Sequence, residues 1–191
     1  VHSVAHAKKE IEKMLIGPEP FAKRTVEGDL GVYINKDNII DMIGKDKLLS
    51  ELDMDPHTYD ESIKSYQPIP PDTQVPLTER LALEALNIAM ERHCGRLVHM
   101  YTASGKTTYA EGKDLTNVGY LIGTGGALTR LPGKMEIIKK SLHKDNGLLL
   151  KPKRDTKILI DNDYIMASCG VLSKKHPEAA IRLLKQSLEI G

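Results

Sequence analysis

Apolar positions along the chain fall into short runs whose period changes several times. The opening "VHSVA" alternates Val with polar residues and predicts the end of a strand. "RTVEGDLGVYI" reads as a second extended segment, interrupted at Gly28 and Gly31. "NKDNIIDMIG" and "KDKLLSEL" read as short helices, the first ended by Gly44. Five of the ten prolines then gather in "DMDPHTYDESIKSYQPIPPDTQVP". Each proline removes a backbone donor, so this stretch predicts a surface connection or small insertion rather than a central strand.

The clearest helical pattern is "PLTERLALEALNIAMERHCG", with Thr78 as N-cap and Gly95 past the end. Leu81, Ala85, Ile88 and Ala89 share a face that Leu86 and Met90 widen, predicting a buried or sheet-packed helix. "RLVHMYTASGKTTYAEGKDL" predicts a hairpin turning at "SGK". "VGYLIGTGG" predicts a buried strand running into a glycine loop, "LPGKMEIIKKSLH" a short helix and "KILID" another apolar strand. "NDYIMASCGVLSKKH" and "PEAAIRLLKQSLEIG" predict the closing helices. Strands alternating with helices argue for an α/β fold with a partly parallel sheet. Residues 1–191 read as one domain with a possible, mostly helical insertion at 36–76.

Composition removes several classes of function. The chain has 191 residues, 28% charged and 40% apolar, with a formal net charge of +1. Near-neutral charge, a single Phe and no Trp argue against a nucleic-acid partner. No apolar run is long enough for a transmembrane helix, and a membrane partner is not expected. Cys94 and Cys169 lie far apart without a CxxC, which fits free thiols in a reducing cytoplasm. The chain opens without Met or a signal peptide and reads as a fragment or processed chain.

The candidate chemistry centres on "GYLIGTGGALTRLPG", with five glycines in residues 119–133. A Walker A loop is excluded elsewhere: "ASGKTT" offers Gly105, Lys106 and Thr107, but Met100 stands where the first glycine is required. A dinucleotide fingerprint fits Gly123 and Gly125 but meets Leu128 at its third glycine, and Asp145 falls in an expected turn. The remaining ligand reading is mechanical. Gly125 and Gly126 lack Cβ atoms, so a nucleoside can lie against their backbone, with the following helix aimed at a phosphate. The alternative is a tight strand-to-helix turn without a ligand.

Other polar residues have two readings each. Glu27 and Asp29 face a cleft or sit in a solvated turn. Asp161 and Asp163 flank the end of the "ILID" strand, with Asp163 as a helix N-cap. Asp114 reads as a turn residue. Arg130 either contacts a phosphate or adenine or forms a surface ion pair. Lys134 reads as a solvated first-turn lysine, and the "KPKR" run at 151–154 as a solvated loop or a phosphate or acidic-partner contact. His2 with His6, and His93 with Cys94 and His99, lack the spacing of a metal site, and none is expected.

"YLIGTGGALTRLPGKMEII" resembles the adenosine motif of the actin-like ATPase superfamily, where an apolar strand ends in two glycines before an Arg and a Pro. Here these are Gly125, Gly126, Arg130 and Pro132. "DNDYIMASCGVLSKK" is similar to the helix that ends that superfamily's second domain, with Ala167, Ser168 and Gly170 as its small residues. "PFAKRTVEGDLGV", "YTASGKTTYAEGKDLT" and "GYLIGTGGALTRLPG" look like the MutL-type (GlmL) accessory proteins, which share only a name with mismatch-repair MutL. These proteins are encoded beside adenosylcobalamin-dependent glutamate mutase and related aminomutases.

The resemblance implies a ribonuclease-H-like second domain of an actin-like ATPase, a mixed sheet flanked by helices. It implies ATP or ADP as ligand, contacted by Thr124, Gly125, Gly126 and Arg130, and a mutase subunit as partner. It also implies a reactivating-chaperone role, with a homo-oligomer compatible. In the family a DIGGATTD-type phosphate motif precedes the match to "VHSVA". Mg2+ is therefore expected only in the full-length protein, and no ATPase turnover from this chain alone. The alternative is a protein-interaction module that binds a mutase or another partner without nucleotide, presenting the Pro-rich 53–76 segment.

Overall fold

A computed structural model describes residues 1–103, 105–144 and 147–191. Ser104 of the expected hairpin turn and Asp145 of the dinucleotide reading lie outside the described residues. The elements are β1 (His2–Val4), α1 (Lys9–Glu12), β2 (Ala22–Arg24), α2 (Lys36–Ile43), α3 (Lys45–Leu52), α4 (Pro56–Lys64) and α5 (Val75–His93). They continue as β3 (Arg96–Thr102), β4 (Gly105–Glu111), β5 (Tyr120–Gly123), α6 (Gly126–Arg130), α7 (Lys134–His143), β6 (Lys157–Ile160), α8 (Met166–Leu172) and α9 (Pro177–Ser187). The class is α/β with both strand senses. Instead of one mixed sheet, the described residues form three two-stranded pieces: antiparallel β1–β2, antiparallel β3–β4 and parallel β5–β6.

Helix α5 organises the core because it is apolar on several sides. Leu77, Leu81 and Ala85 pack with Ile39, Ile40, Ile43, Leu48 and Tyr59 of α2 to α4. Ala82 packs instead with Leu131 and Ile137, and Met90 with Cys94 and Leu115. The helix starts three residues before Thr78, with Pro76 in its first turn. Thr78 is therefore not the N-cap. Its buried hydroxyl donates to the Gln74 carbonyl at 2.9 Å and accepts from the Tyr66 hydroxyl at 2.9 Å.

The Pro-rich stretch contains a helix that its proline count obscured. Asp55 accepts from the His57 and Thr58 amides, and Pro56 takes the first helical position, where a missing N–H costs nothing. Gln74, only 3% exposed, then holds the following turn. Its Nε2 donates to the Ser62 and Ser65 carbonyls, and its Oε1 accepts from the Gln67 amide.

The segment "RTVEGDLGVYI" is not a strand over its length. Pairing ends at Thr25, whose amide donates to the Val1 carbonyl at 2.9 Å, and Gly28–Leu30 is a single 3-10 turn. Arg92 of α5 draws that turn in, with two parallel bonds to Asp29 at 2.8 and 2.9 Å and one to Glu27 at 2.8 Å. The β1–β2 ribbon is fixed to the body by two buried polar side chains. Lys113, 2% exposed, donates from Nζ to the carbonyls of Ala5, Pro20 and Phe21 at 2.6, 2.5 and 2.8 Å. Beside it, Asp114 accepts from the Lys8 amide and closes its own turn with Thr116.

His93 is fully buried at the end of α5, and each ring nitrogen meets a hydroxyl: Nε2 to Ser3 Oγ at 2.8 Å and Nδ1 to Thr25 Oγ1 at 3.0 Å. One ring thus ties both ribbon strands to the helix. Burial, reinforced by the positive N-terminus, Lys23, His2 and Lys113, pushes its pKa down to about 4.

The native ring stays neutral where the unfolded histidine takes a proton. Stability is then complete above the ordinary value of 6.5 and falls as pH drops toward about 4, by up to about 3 kcal/mol. Denaturant titrations through this window are expected to show that slope, and His93→Gln to flatten it while lowering stability throughout.

Candidate functional site

Parallel pairing sets the site. Register runs from Tyr120 opposite Lys157 to Gly123 opposite Ile160, and the Asp161 amide extends the ladder to the Gly123 carbonyl at 2.9 Å. Both strands therefore end side by side, and their next residues, Thr124 and Asp161, meet at the carboxyl edge. Ligands of open α/β sheets bind at such edges. The strand is not buried on both faces as expected: Tyr120 is 60% and Ile122 38% exposed. Gly123 packs against Ile138 of α7, and Leu159, in register with Ile122, is buried on the other face.

The three loop glycines have separate physical jobs. A Cβ on Gly123 would come within 2.8 Å of Ile138 Cδ1 and 2.9 Å of Ile160 Cδ1, so this glycine permits close packing. Gly125 has φ 91° and ψ 155°, a conformation open essentially to glycine alone, and turns the chain into α6. Gly126 has open space over its Cα and a negative φ, which leaves a bare stretch of backbone. That backbone borders a cleft of about 580 Å³. The opposite walls are Ala82, Ala85, Leu86 and Ala89 of α5, Leu30 and Val32, and the ribbon residues Arg24, Thr25 and Glu27.

Asp161 supports the loop from below. It is fully buried, and its carboxylate accepts from four donors. These are the Thr124 hydroxyl (2.9 Å), the Ile165 and Met166 amides (3.0 and 2.9 Å) and the Ser187 hydroxyl (2.9 Å). Burial alone would raise its pKa. The Met166 and Ile165 amides and the Ser187 and Thr124 hydroxyls outweigh it and hold the carboxyl below its ordinary range. Asp161, not Asp163, thus caps α8; the Asp163 amide donates to Ser187 Oγ. An acid directly after an apolar strand and before a helix was the available signal.

The sequence-derived site residues divide. Thr124, Gly125 and Gly126 line the cleft, whereas Arg130 lies exposed at the end of α6, away from its walls. Helix α6 has only five residues, and Thr129 Oγ1 donates back to the Gly125 carbonyl at 3.0 Å, so little helix dipole is available for a phosphate. Ala167, Ser168 and Gly170 are exposed rather than packed under the loop; α8 turns Cys169 inward. Glu27 lines the cleft, but Arg92 engages its carboxylate.

Two basic residues expected in solvent are tethered. Lys134 donates to the Thr129 carbonyl and to Asn162. Lys151 is buried and donates to the Ser141 and Lys144 carbonyls at the end of α7. Glu79, unnoticed as a functional cap, reaches from α5 to accept from the Gly133 amide at 2.6 Å, at the start of α7. Among the described residues no three His, Cys, Asp or Glu side chains gather as a metal site, and no helix is long and apolar enough to cross a membrane.

Comparison with known proteins gives a consistent result. The family described as MutL protein matches residues 1–188. Protein MutL of Clostridium tetanomorphum is 36% identical over 176 residues, covering 89% of this chain and 38% of that protein. No solved structure matches.

Substitution separates the two loop glycines. Gly125→Ala is expected to lower stability by about 1–3 kcal/mol through its positive φ. Gly126→Ala, in open space at a helical position, leaves stability unchanged or raises it by up to about 1 kcal/mol. Urea denaturation of both variants checks this.

Proposed function

The chain belongs to the MutL protein family, and from that premise we propose that it is the adenine-nucleotide-binding half of an ATP-dependent reactivating chaperone for an adenosylcobalamin-dependent mutase. It spans 38% of the length of the curated relative it matches, so the activity of the whole protein is part of the proposal. The observation that carries the nucleotide reading is the uncovered backbone of Gly125 and Gly126 at the carboxyl edge of β5–β6, facing a cleft of about 580 Å³. That volume lies within the range of small-ligand sites.

The chemistry of the walls suits a nucleoside. Alanines on α5 leave width for a flat ring, and Leu30, Val32 and Leu86 give it apolar contact. Arg24, Thr25 and Glu27 offer polar groups at the other wall. In this reading Thr124, Gly125 and Gly126 meet adenosine, and Arg130 acts only if α6 rearranges toward the ligand. The assigned fold is the second domain of an actin-like ATPase, with residues 36–76 as its insertion. ATP and ADP would bias the arrangement of such a domain by their differential affinity, changing its hold on a mutase subunit.

A second reading, a protein-interaction module without nucleotide, draws on the Pro-rich segment. Ile69 there is 83% exposed on a turn whose backbone Gln74 secures.

Isothermal titration with ADP is expected to give saturable heat, with affinity reduced at least about tenfold in Gly126→Val, whose side chain fills the space a ring would use. Absence of heat from the folded protein, together with nucleotide-independent capture of a mutase subunit, would favour the second reading.

A further inference from the structure

The nucleotide reading uses the upper surface of the glycine loop; the Asp161 network lies beneath it and reaches two helices that touch no part of the cleft. Its connections are directional. Oδ2 holds the loop through Thr124 and the first residue of α8 through the Met166 amide. Oδ1 holds the Ile165 amide and Ser187 at the end of α9. Around this carboxylate, the Ser187 carbonyl accepts from the Asn162 backbone and side-chain amides, both at 3.2 Å. Lys134 Nζ joins Asn162 Oδ1 to the Thr129 carbonyl of α6.

We propose that Asp161 is a positioning residue through which occupancy of the glycine loop is coupled to the α8–α9 pair. The inference rests on the nucleotide reading for the identity of the occupant, but its mechanics do not. The four donors to the carboxylate are shared between the loop and the helix pair. A shift of Thr124 therefore changes the same group that fixes the start of α8 and the end of α9. Buried, fully bonded carboxylates resist such shifts as a unit, because each lost bond leaves a charge short of donors. A ligand that fixes the loop thus also fixes the helix pair, and loosening the helix pair weakens the ligand's platform.

Reciprocity makes this testable with two variants on opposite sides of Asp161. Thr124→Val removes the loop's hydroxyl at nearly constant shape, and Thr124→Ser restores it. Ser187→Ala removes a hydroxyl that is 1% exposed and is not part of the cleft wall. In the intact protein, amide exchange and ADP titration are measured for each variant.

The expected result is faster exchange at Ile165 and Met166 in Thr124→Val, faster exchange at Asp161 and Leu131, whose amides bond the Gly123 and Ala127 carbonyls on the loop side, in Ser187→Ala, and recovery in Thr124→Ser. ADP should slow exchange in α8 of the wild-type protein, and Ser187→Ala should weaken ADP binding about tenfold. ADP binding that is unchanged in Ser187→Ala, with exchange effects confined to the mutated side, would overturn the coupling. If ADP fails to bind but the reciprocal exchange effects appear, the nucleotide reading falls and the coupling stands. If neither appears, both fall.

Discussion

The structure depends on one helix that has almost no solvent side. Over nineteen residues, α5 meets the helices of residues 36–64 with one face, α7 with another and, near its end, Leu115 and Val118 of the β4–β5 connection and Leu121 of β5. Such a helix cannot be stable alone, because its apolar surface exceeds what one partner can cover. Its stability comes from being surrounded, and every neighbouring element takes its position from it. The same geometry gives the cleft its width. Alanine at 82, 85 and 89 lets the wall stand back from the glycine loop where larger residues would close on it.

Polar groups then set what the apolar core leaves free. Where the backbone lacks partners, a side chain supplies them: Gln74 beside the prolines and Lys151 at the end of α7 make several bonds each, and Glu79 makes one at the beginning of α7. Each is far more closely held than its residue type normally is. The charged cluster of Arg92, Glu27 and Asp29 differs, since it sits near solvent and its contribution is geometric more than energetic. It keeps the turn before Leu30 beside the cleft.

Much of this was legible in the chain. Helix periodicity located α2, α3, α5 and α7, the hairpin β3–β4 followed from alternation, and the glycine loop stood out by composition. The errors have physical causes. Proline count hid α4, because a proline at the first helical position is favourable while one inside a helix is not. Thr78 imitated a cap because residues that cap helices also bond back to the preceding turn. The burial of β5 was overestimated, since an apolar strand does not state how many layers cover it. Asp161 was noticed beside its strand but the cap was assigned to Asp163, and Lys113 was missed, because a long-range partner leaves no local periodicity.

Lys113 has a consequence for how the protein is made. The carbonyls it binds belong to residues 5, 20 and 21, and its neighbour Asp114 holds Lys8, so the first two dozen residues are secured by a point some ninety positions later. Loops of that length close slowly, and nothing local rewards the ribbon for forming early. During synthesis the ribbon waits for its anchor until the ribosome has delivered both α5 and the hairpin. Within these residues the ribbon is therefore among the last elements to settle, although it precedes the others in the chain.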